Sequence, residues 1–274
     1  MGDGGYGLLF LAGTLVLKRK AGPSAQVAVN LMFLLSFFTV VWGFLTGNFF
    51  GIHPSKLPAF MQGIEYFTGP NQQANTQYFC FLIGAIHLTI GHGIKLSAVI
   101  NSTMALAQVG WMAIIWGYFF LGASLVTGSI FPEFAKYLLI GGAGLVILFS
   151  VPAKNILKSI GGGLGELMGS IVNSFVDVLS YIRLFAVGLS SYYVAVSFND
   201  MGTGIGSAGS GVMAIPLMIV GALVIVFGHT LNIALCGLSV LVHGIRLNTL
   251  EFSGHVGLEW AGVPFQAFRK RKNT

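Results

Sequence analysis

The chain has 274 residues, 55% of them hydrophobic and 8% charged, with a formal net charge of +6. A soluble domain carries about 25% charged residues, so a dispersed globular fold is excluded and the apolar runs read as membrane spans. The basic excess lies at the ends of those runs, where membrane topology explains it, and no nucleic-acid partner is expected.

Seven runs, about 4–17, 27–50, 77–97, 102–127, 134–151, 164–200 and 211–249, predict an all-α integral membrane protein. The first is not a cleaved signal: its basic cluster, Lys18-Arg19-Lys20, follows the apolar stretch instead of preceding it. Pro23 opens the second span, and a longer loop holds Pro54, Pro58 and Pro70. In that loop the apolar stretch from Leu57 to Phe67, with Glu65 and Tyr66, predicts a short interfacial helix. The third span carries Cys80 and a histidine pair, His87 and His92. Five positions apart, the two suit structural hydrogen bonds better than a metal, which favours three or four. Cys80 and Cys236 have no metal-type spacing, and no metal or disulfide framework is expected. Phe49-Phe50 and Phe119-Phe120 read as packing or lipid-facing residues, and Pro132 precedes the fifth span.

Residues 1–152 therefore form five peripheral spans, and residues 153–274 form a long helix hairpin with a C-terminal tail. Gly161-Gly162-Gly163 predicts a flexible break, and Gly165 with Gly169 predicts a close helix contact. The last two spans reach about 37 and 39 residues, or roughly 55 Å as helix, against a hydrocarbon layer of about 30 Å. They must tilt, break or project, and a steep tilt offers a long face past which another protein can slide. Between them, the Gly/Ser run from Gly202 to Gly211 has no preceding strand, so it reads as a hairpin turn and not a phosphate loop.

Lys18, Arg19, Lys20, Lys95, Lys154, Lys158, Arg269, Lys270, Arg271 and Lys272 fall on one side of this topology, and Lys56 and Lys136 on the other. That bias supports the span count and places the C-terminus in the cytoplasm and the N-terminus outside. An outside N-terminus without a signal peptide predicts a further span, with a cytoplasmic domain, ahead of Met1.

The ionisable groups gather in the last two spans: Asp177, Arg183, His229, His243, Arg246 and Glu251, with Glu166 at the entrance. A charge at bilayer depth is costly unless paired or hydrated, so these residues are functional candidates. Counting about 100° per residue, His229, Asn232, Cys236, Ser239, His243 and Arg246 share a sector of about 80°, with Glu251 about 40° beyond it. A stripe of that length suits an aqueous path or wet interface, whereas interhelical glue needs one or two such residues. Arg183 lies too deep to snorkel and keeps its proton, so it can attract a mobile carboxylate and bar direct proton passage. Asp177, six positions away, is about 120° round the helix and does not face it.

At these residues the sequence resembles the membrane domain of subunit a, or subunit I, of V-type and A-type rotary ATPases. The segments that carry the resemblance are Ser180-Tyr181-Ile182-Arg183-Leu184-Phe185-Ala186-Val187-Gly188-Leu189 and Leu241-Val242-His243-Gly244-Ile245-Arg246-Leu247-Asn248-Thr249-Leu250-Glu251-Phe252. Gly2-Asp3-Gly4-Gly5-Tyr6-Gly7, Gly228-His229-Thr230-Leu231-Asn232 and Pro264-Phe265-Gln266-Ala267-Phe268 extend it over nearly the whole chain. The resemblance implies that this chain holds the last seven of eight spans, after a large cytoplasmic domain. It implies that Arg183 faces the ion-binding carboxylate of a rotor ring, with Arg246 as the second arginine. Glu166, Asp177, His229, Asn232, Ser239, His243 and Glu251 are expected along two half-channels for protons or sodium ions. Cys236 stands where some relatives carry a glutamate, and Asn248 where some carry a histidine. The implied partners are rotor-ring proteolipids, other subunits including the peripheral stalk, and membrane lipid. No cofactor and no nucleotide site are expected in this chain, and a partner for Arg183 is expected on another chain. The competing readings are a stand-alone secondary transporter binding an anion through Arg183 and Arg246, and a membrane anchor that only docks partners. No internal repeat favours the transporter.

Overall fold

A computed structural model describes residues 2–20, 22–152 and 156–258. Lys154, the basic run Arg269 to Lys272, the Pro264 to Phe268 motif and Met1 lie outside the described residues. Helix α1 spans Gly4–Lys20 and α2 Gln26–Thr46, the latter led in by a 3-10 turn at Pro23–Ala25 whose proline presets the first turn. Gly47, at φ 64°, ends α2 in the left-handed conformation that glycine adopts at no steric cost. The loop beyond it holds 3-10 turns at Pro54–Lys56 and Ala59–Met61 and the single helical turn α3, Glu65–Thr68, so the predicted interfacial helix is broken into short pieces. Then come α4 (Gln72–Ala98), α5 (Met104–Thr127), α6 (Glu133–Phe149), α7 (Ile156–Ser180), α8 (Ile182–Ser207) and α9 (Ala214–Ser239). After α9 the chain continues as π-helical turns at Val240–Gly244 and Leu247–Phe252 and ends in α10, Ser253–Val256.

The protein is an all-α membrane protein. Five helical stretches are long and apolar enough to cross a bilayer: Pro23–Thr46, Gln72–Ala98, Met104–Thr127, Leu157–Ser207 and Gly211–Val256. The other two predicted spans are also helical, but α1 and α6 have 17 residues each, about 25 Å of rise. Large apolar side chains stay exposed over most helices, Val27, Phe38, Ile140, Met168, Leu223 and Phe227 among them. In water such a surface drives association; in a bilayer lipid covers it.

Interhelical packing is polar or tight where the sequence supplies small residues. A buried cluster of Phe81, Leu88, Trp111, Ile114, Ile115, Phe119, Val146 and Val178 joins α4, α5, α6 and α7. Helices α8 and α9 form an antiparallel pair, with Gly202 against the backbone of Gly221 so closely that a Cβ on either would overlap the other chain segment. Gly202, Gly204 and Gly206, read as part of a hairpin loop, thus lie inside α8, which ends at Ser207. The contact with α9 outweighs glycine's low helix propensity there. Gly161-Gly162-Gly163 likewise make no break: α7 is continuous through them, and Gly163 packs on the backbone of Ile147. The break comes instead between α7 and α8, at Tyr181. Cys80 and Cys236 are free and buried, Phe49 and Phe119 are packed inside, and among the described residues no set of three potential metal ligands converges.

Candidate functional site

Tyr181 makes the turn that places Arg183. Its N–H donates to Val178 O at 3.4 Å and its carbonyl accepts from Leu184 N at 3.0 Å, both i to i−3 bonds that tighten the chain between α7 and α8. The ring is 2% exposed, seats against Gly84 of α4, where a Cβ would collide with it, and bonds His87 Nδ1 through its hydroxyl at 2.7 Å. His87 also stacks on Phe252 at 4.3 Å. The third-span histidine thus has the hydrogen-bonding role expected of it, as an anchor for the turn.

Two residues past Tyr181, Arg183 Nη2 lies 3.9 Å from Glu251 Oε1. The sequence reading left Arg183 without a partner on its own chain, and the structure corrects it. The cause is the π-helical backbone on either side of Ile245 and Arg246, whose wider turns change the angular register that a uniform α-helix would keep. Glu251, expected beyond the edge of the polar stripe, is thereby 5% exposed and turned inward. The predicted stripe is divided among three settings. His229, Asn232 and Cys236 sit in a hydrogen-bonded network, Ser239 and His243 line a cavity, and Arg246 and Asn248 are exposed. The Arg183–Glu251 pair is under-satisfied: Arg183 Nη1 and Glu251 Oε2 are buried with no hydrogen-bond partner among the described residues. Spare donors on a half-buried guanidinium can accept a further anion.

The cavity, about 830 Å³, lies on one side of Arg183. Its deep end is formed by Arg183, Gly188, Ser239 and His243, and its far end by Asn48, His53, Gln62, Glu65, Gln72 and Thr76, from the loop between α2 and α4 and the start of α4. Tyr192 and Tyr193 of α8 line it between. Sequence reasoning missed this wall from the loop and α4, because no periodicity links residues more than a hundred positions apart.

Beside the cavity, the Gly2 to Gly7 motif buries its polar atoms against α8 and α9. Asp3 caps α1, accepting from Gly5 N at 2.8 Å, and ties down the α2–α4 loop by accepting from Gly51 N at 3.3 Å. Tyr6 reaches His229 Nδ1 at 2.6 Å and accepts from Asn232 Nδ2 at 3.1 Å. His229 Nε2 in turn bonds Asn199 Oδ1 at 3.0 Å, and Asn232 donates to the carbonyl of Ser191 at 2.8 Å. Cys236 donates to Ser191 Oγ at 3.1 Å. Asp3, Tyr6, His229, Asn232 and Cys236 each have a hydrogen-bond partner, as burial demands.

On the other side of Arg183, α7 carries a row the sequence reading did not assemble. Glu166, Ser170, Asn173 and Asp177 are spaced 4, 3 and 4 apart, within about 60° of one face. Glu166 and Asn173 are exposed, Ser170 and Asp177 partly so. Asp177 ends in a bond to His255 Nε2 at 3.0 Å. His255 Nδ1 meets His92 Nε2 at 2.7 Å, and His92 Nδ1 meets Gln108 Oε1 at 2.9 Å. Of this hydrogen-bonded chain only Asp177 was expected from the sequence as a channel residue, and of the α7 row only Glu166 and Asp177 were. Gly165 and Gly169 do not make the close packing contact expected: a Cβ at either position would meet nothing within 4 Å. They belong to an open apolar face with Leu164, Met168, Val172 and Val176.

No model of a known protein family matches the chain. Individual relatives do. The V-type ATP synthase subunit I of Borreliella burgdorferi is 35% identical over 293 residues, covering 99% of this chain and 47% of that protein. The V-type ATP synthase subunit I 1 of Treponema pallidum is 32% identical, covering 98% of this chain and 44% of that protein. The A-type ATP synthase subunit I of Methanocaldococcus jannaschii is 27% identical, covering 98% and 42%. The chain thus spans about half the length of the curated relatives it matches.

Proposed function

The chain belongs to the family of V-type and A-type ATP synthase subunit I, and from that premise we propose that it is the static membrane subunit of a rotary ATPase. Its two half-channels carry protons or sodium ions to and from carboxylates on a rotor ring. The observation that carries this reading is the setting of Arg183, a cation with unused donors at a helix break, between a cavity and a polar row that do not merge. The cavity toward the α2–α4 loop is the outer half-channel, with Ser239 and His243 in its lining and the Tyr6–His229–Asn232 network beside it. The α7 row from Glu166 to Asp177 is the inner one, with Glu251 between them. Arg246, exposed between the two π-helical turns, adds to the positive charge of the hairpin. The open face with Gly165, Gly169, Val172 and Val176 supports a sliding contact with rotor helices, since small and branched residues let backbones approach. Residues 153–274 then act as the channel hairpin and residues 1–152 as its support, to which the α2–α4 loop and α4 add channel wall.

The mechanism follows from charge. An ion from one half-channel neutralises a rotor carboxylate, which can then enter lipid, because the neutral form avoids the cost of a buried charge. On returning, the carboxylate meets Arg183, whose fixed charge favours the ionised form and expels the ion into the other half-channel. The side with α1's last turn (Lys18, Arg19, Lys20), Lys95 and Lys158 is cytoplasmic in this reading, and the side with Lys56 and Lys136 is outside. Partners are the rotor proteolipids, the remaining ATPase subunits including the peripheral stalk, and lipid; ATP chemistry belongs to other subunits.

Arg183→Ala in the whole complex tests this. Ion transport and ion-coupled ATP hydrolysis should fall at least about a hundredfold while the complex still assembles, and coupled hydrolysis at the wild-type rate would sink the reading. A cavity of 830 Å³ beside an arginine is also large enough for a small anion, the observation that favours a stand-alone transporter. Anion uptake by the purified chain alone in liposomes would support that alternative, and the pump reading predicts none.

A further inference from the structure

The pair at the centre of the site does not hold itself. Arg183 Nη2 and Glu251 Oε1 stand 3.9 Å apart, beyond hydrogen-bond range. Arg183 Nη1 and Glu251 Oε2 are buried without a hydrogen-bond partner among the described residues. Neither residue sits in a regular helix interior. Arg183 is the second residue of α8, just past the break at Tyr181, and Glu251 lies in the π-helical turn Leu247–Phe252. The direction of each side chain therefore depends on what packs against its turn.

One face of α4 packs against both turns. Gly84, His87 and Gly91, spaced 3 and 4 apart, share that face. Tyr181, two residues before Arg183, occupies the space that a Cβ on Gly84 would need, and its hydroxyl bonds His87 Nδ1 at 2.7 Å. Phe252, next to Glu251, stacks on the same imidazole at 4.3 Å with the planes at 6°. A Cβ on Gly91 would come within 3.5 Å of the Phe252 ring. The two contacts use perpendicular features of one ring: Nδ1 bonds in the ring plane, and the π face lies normal to it. Tyr181 accordingly stands at 85° to the imidazole. Both contacts are satisfied by a single setting of His87, so the ring locks the two turns to one another.

We propose that His87 is a positioning residue that fixes the separation of Arg183 and Glu251 by holding the turn that carries each of them against α4. The inference rests on the pump reading above and deepens it, adding a residue of the third predicted span to the machinery around Arg183. At the observed separation Glu251 orients the guanidinium and leaves donors for an incoming carboxylate. If the pair closed into a two-bond salt bridge, Glu251 would occupy those donors. If it opened, the cation would no longer stand between the cavity and the α7 row. Either shift lowers the number of ions moved per ATP.

The test measures net ions moved per ATP hydrolysed by the whole complex in sealed liposomes, with acidification and radioactive sodium uptake followed in parallel. This ratio does not depend on how many complexes assemble, so a merely structural role would not move it. In His87→Ala it should fall about tenfold or more. His87→Asn keeps a hydrogen-bonding group near the Nδ1 position and His87→Phe keeps a stacking ring, so each should restore part of the ratio. Tyr181→Phe loses the hydroxyl alone, and adding His87→Phe to it should lower the ratio no further. The wild-type ratio in assembled His87→Ala complexes, even with fewer of them, overturns the proposal, as do independent losses from Tyr181→Phe and His87→Phe. Where His87→Ala does not assemble, wild-type ratios in both Tyr181→Phe and His87→Phe overturn it. Arg183→Ala, measured alongside, separates the two claims. If it pumps normally the pump reading itself falls; if it does not while His87→Ala keeps the wild-type ratio, only the positioning role falls.

Discussion

Arg183 and Glu251 hold each other at 3.9 Å with a buried, unpartnered atom on each side. Such a pair is worth little against an apolar substitute, yet removing one member leaves a charge that its surroundings do not solvate. Glu251→Gln is therefore expected to destabilise the protein by about 2–3 kcal/mol, read as a lower midpoint of thermal unfolding in detergent. Adding Arg183→Ala to Glu251→Gln should recover part of that loss, because the two changes remove one interaction and its mismatch together. Full additivity of the two single effects would show that the residues do not interact. The same pairing suits function: Glu251 holds the guanidinium in place without using all its donors.

Among the elements, glycines separate packing from open faces. Gly221→Leu forces a side chain into the backbone of Gly202, and overpacking of this kind costs about 1–3 kcal/mol or more. The expected result is loss of the folded chain on purification, or a clearly lowered unfolding midpoint. Gly165→Leu adds the same volume where nothing lies within 4 Å, so the isolated chain should unfold at its wild-type temperature. In the assembled complex, however, the added bulk should slow ATP-driven transport several-fold if the α7 face meets a moving partner. Wild-type transport by this variant would show that the face meets lipid alone. The breaks in the long helices belong to this scale too. A length of about 37–39 residues demanded tilt, break or projection, and the chain breaks at Tyr181 and widens into π turns after Ser239.

For the whole molecule, the decisive variable is which end of the bundle faces the cytoplasm. The loop that holds Lys56 contributes lining to the cavity, and the Asp177–His255–His92 hydrogen bonds lie toward the end of α4 that holds Lys95. With Cys80→Ala and Cys236→Ser removing the native thiols, Leu57→Cys and Ser97→Cys should be labelled from opposite faces of intact cells by a membrane-impermeant thiol reagent. Labelling of Leu57→Cys from outside supports the orientation; labelling of Ser97→Cys from outside instead would invert both half-channels. The exposed apolar belt also requires that the chain stay soluble only in detergent or lipid.

Composition and run length alone determined that the chain is a helical membrane protein, and motif order alone was enough to recognise its family. Both are properties of consecutive residues, in which burial in lipid writes a continuous apolar signal. Helix positions were legible for the same reason, down to Pro23 and Pro132 at their starts. The partnerships were not. Glu251 on Arg183, His255 between Asp177 and His92, and Tyr6 on His229 join residues from 68 to 223 positions apart. The first of these also depends on π turns that no uniform count of 100° per residue anticipates. Tertiary structure decided them, because packing chooses which polar atoms meet once the bilayer has required that each find a partner.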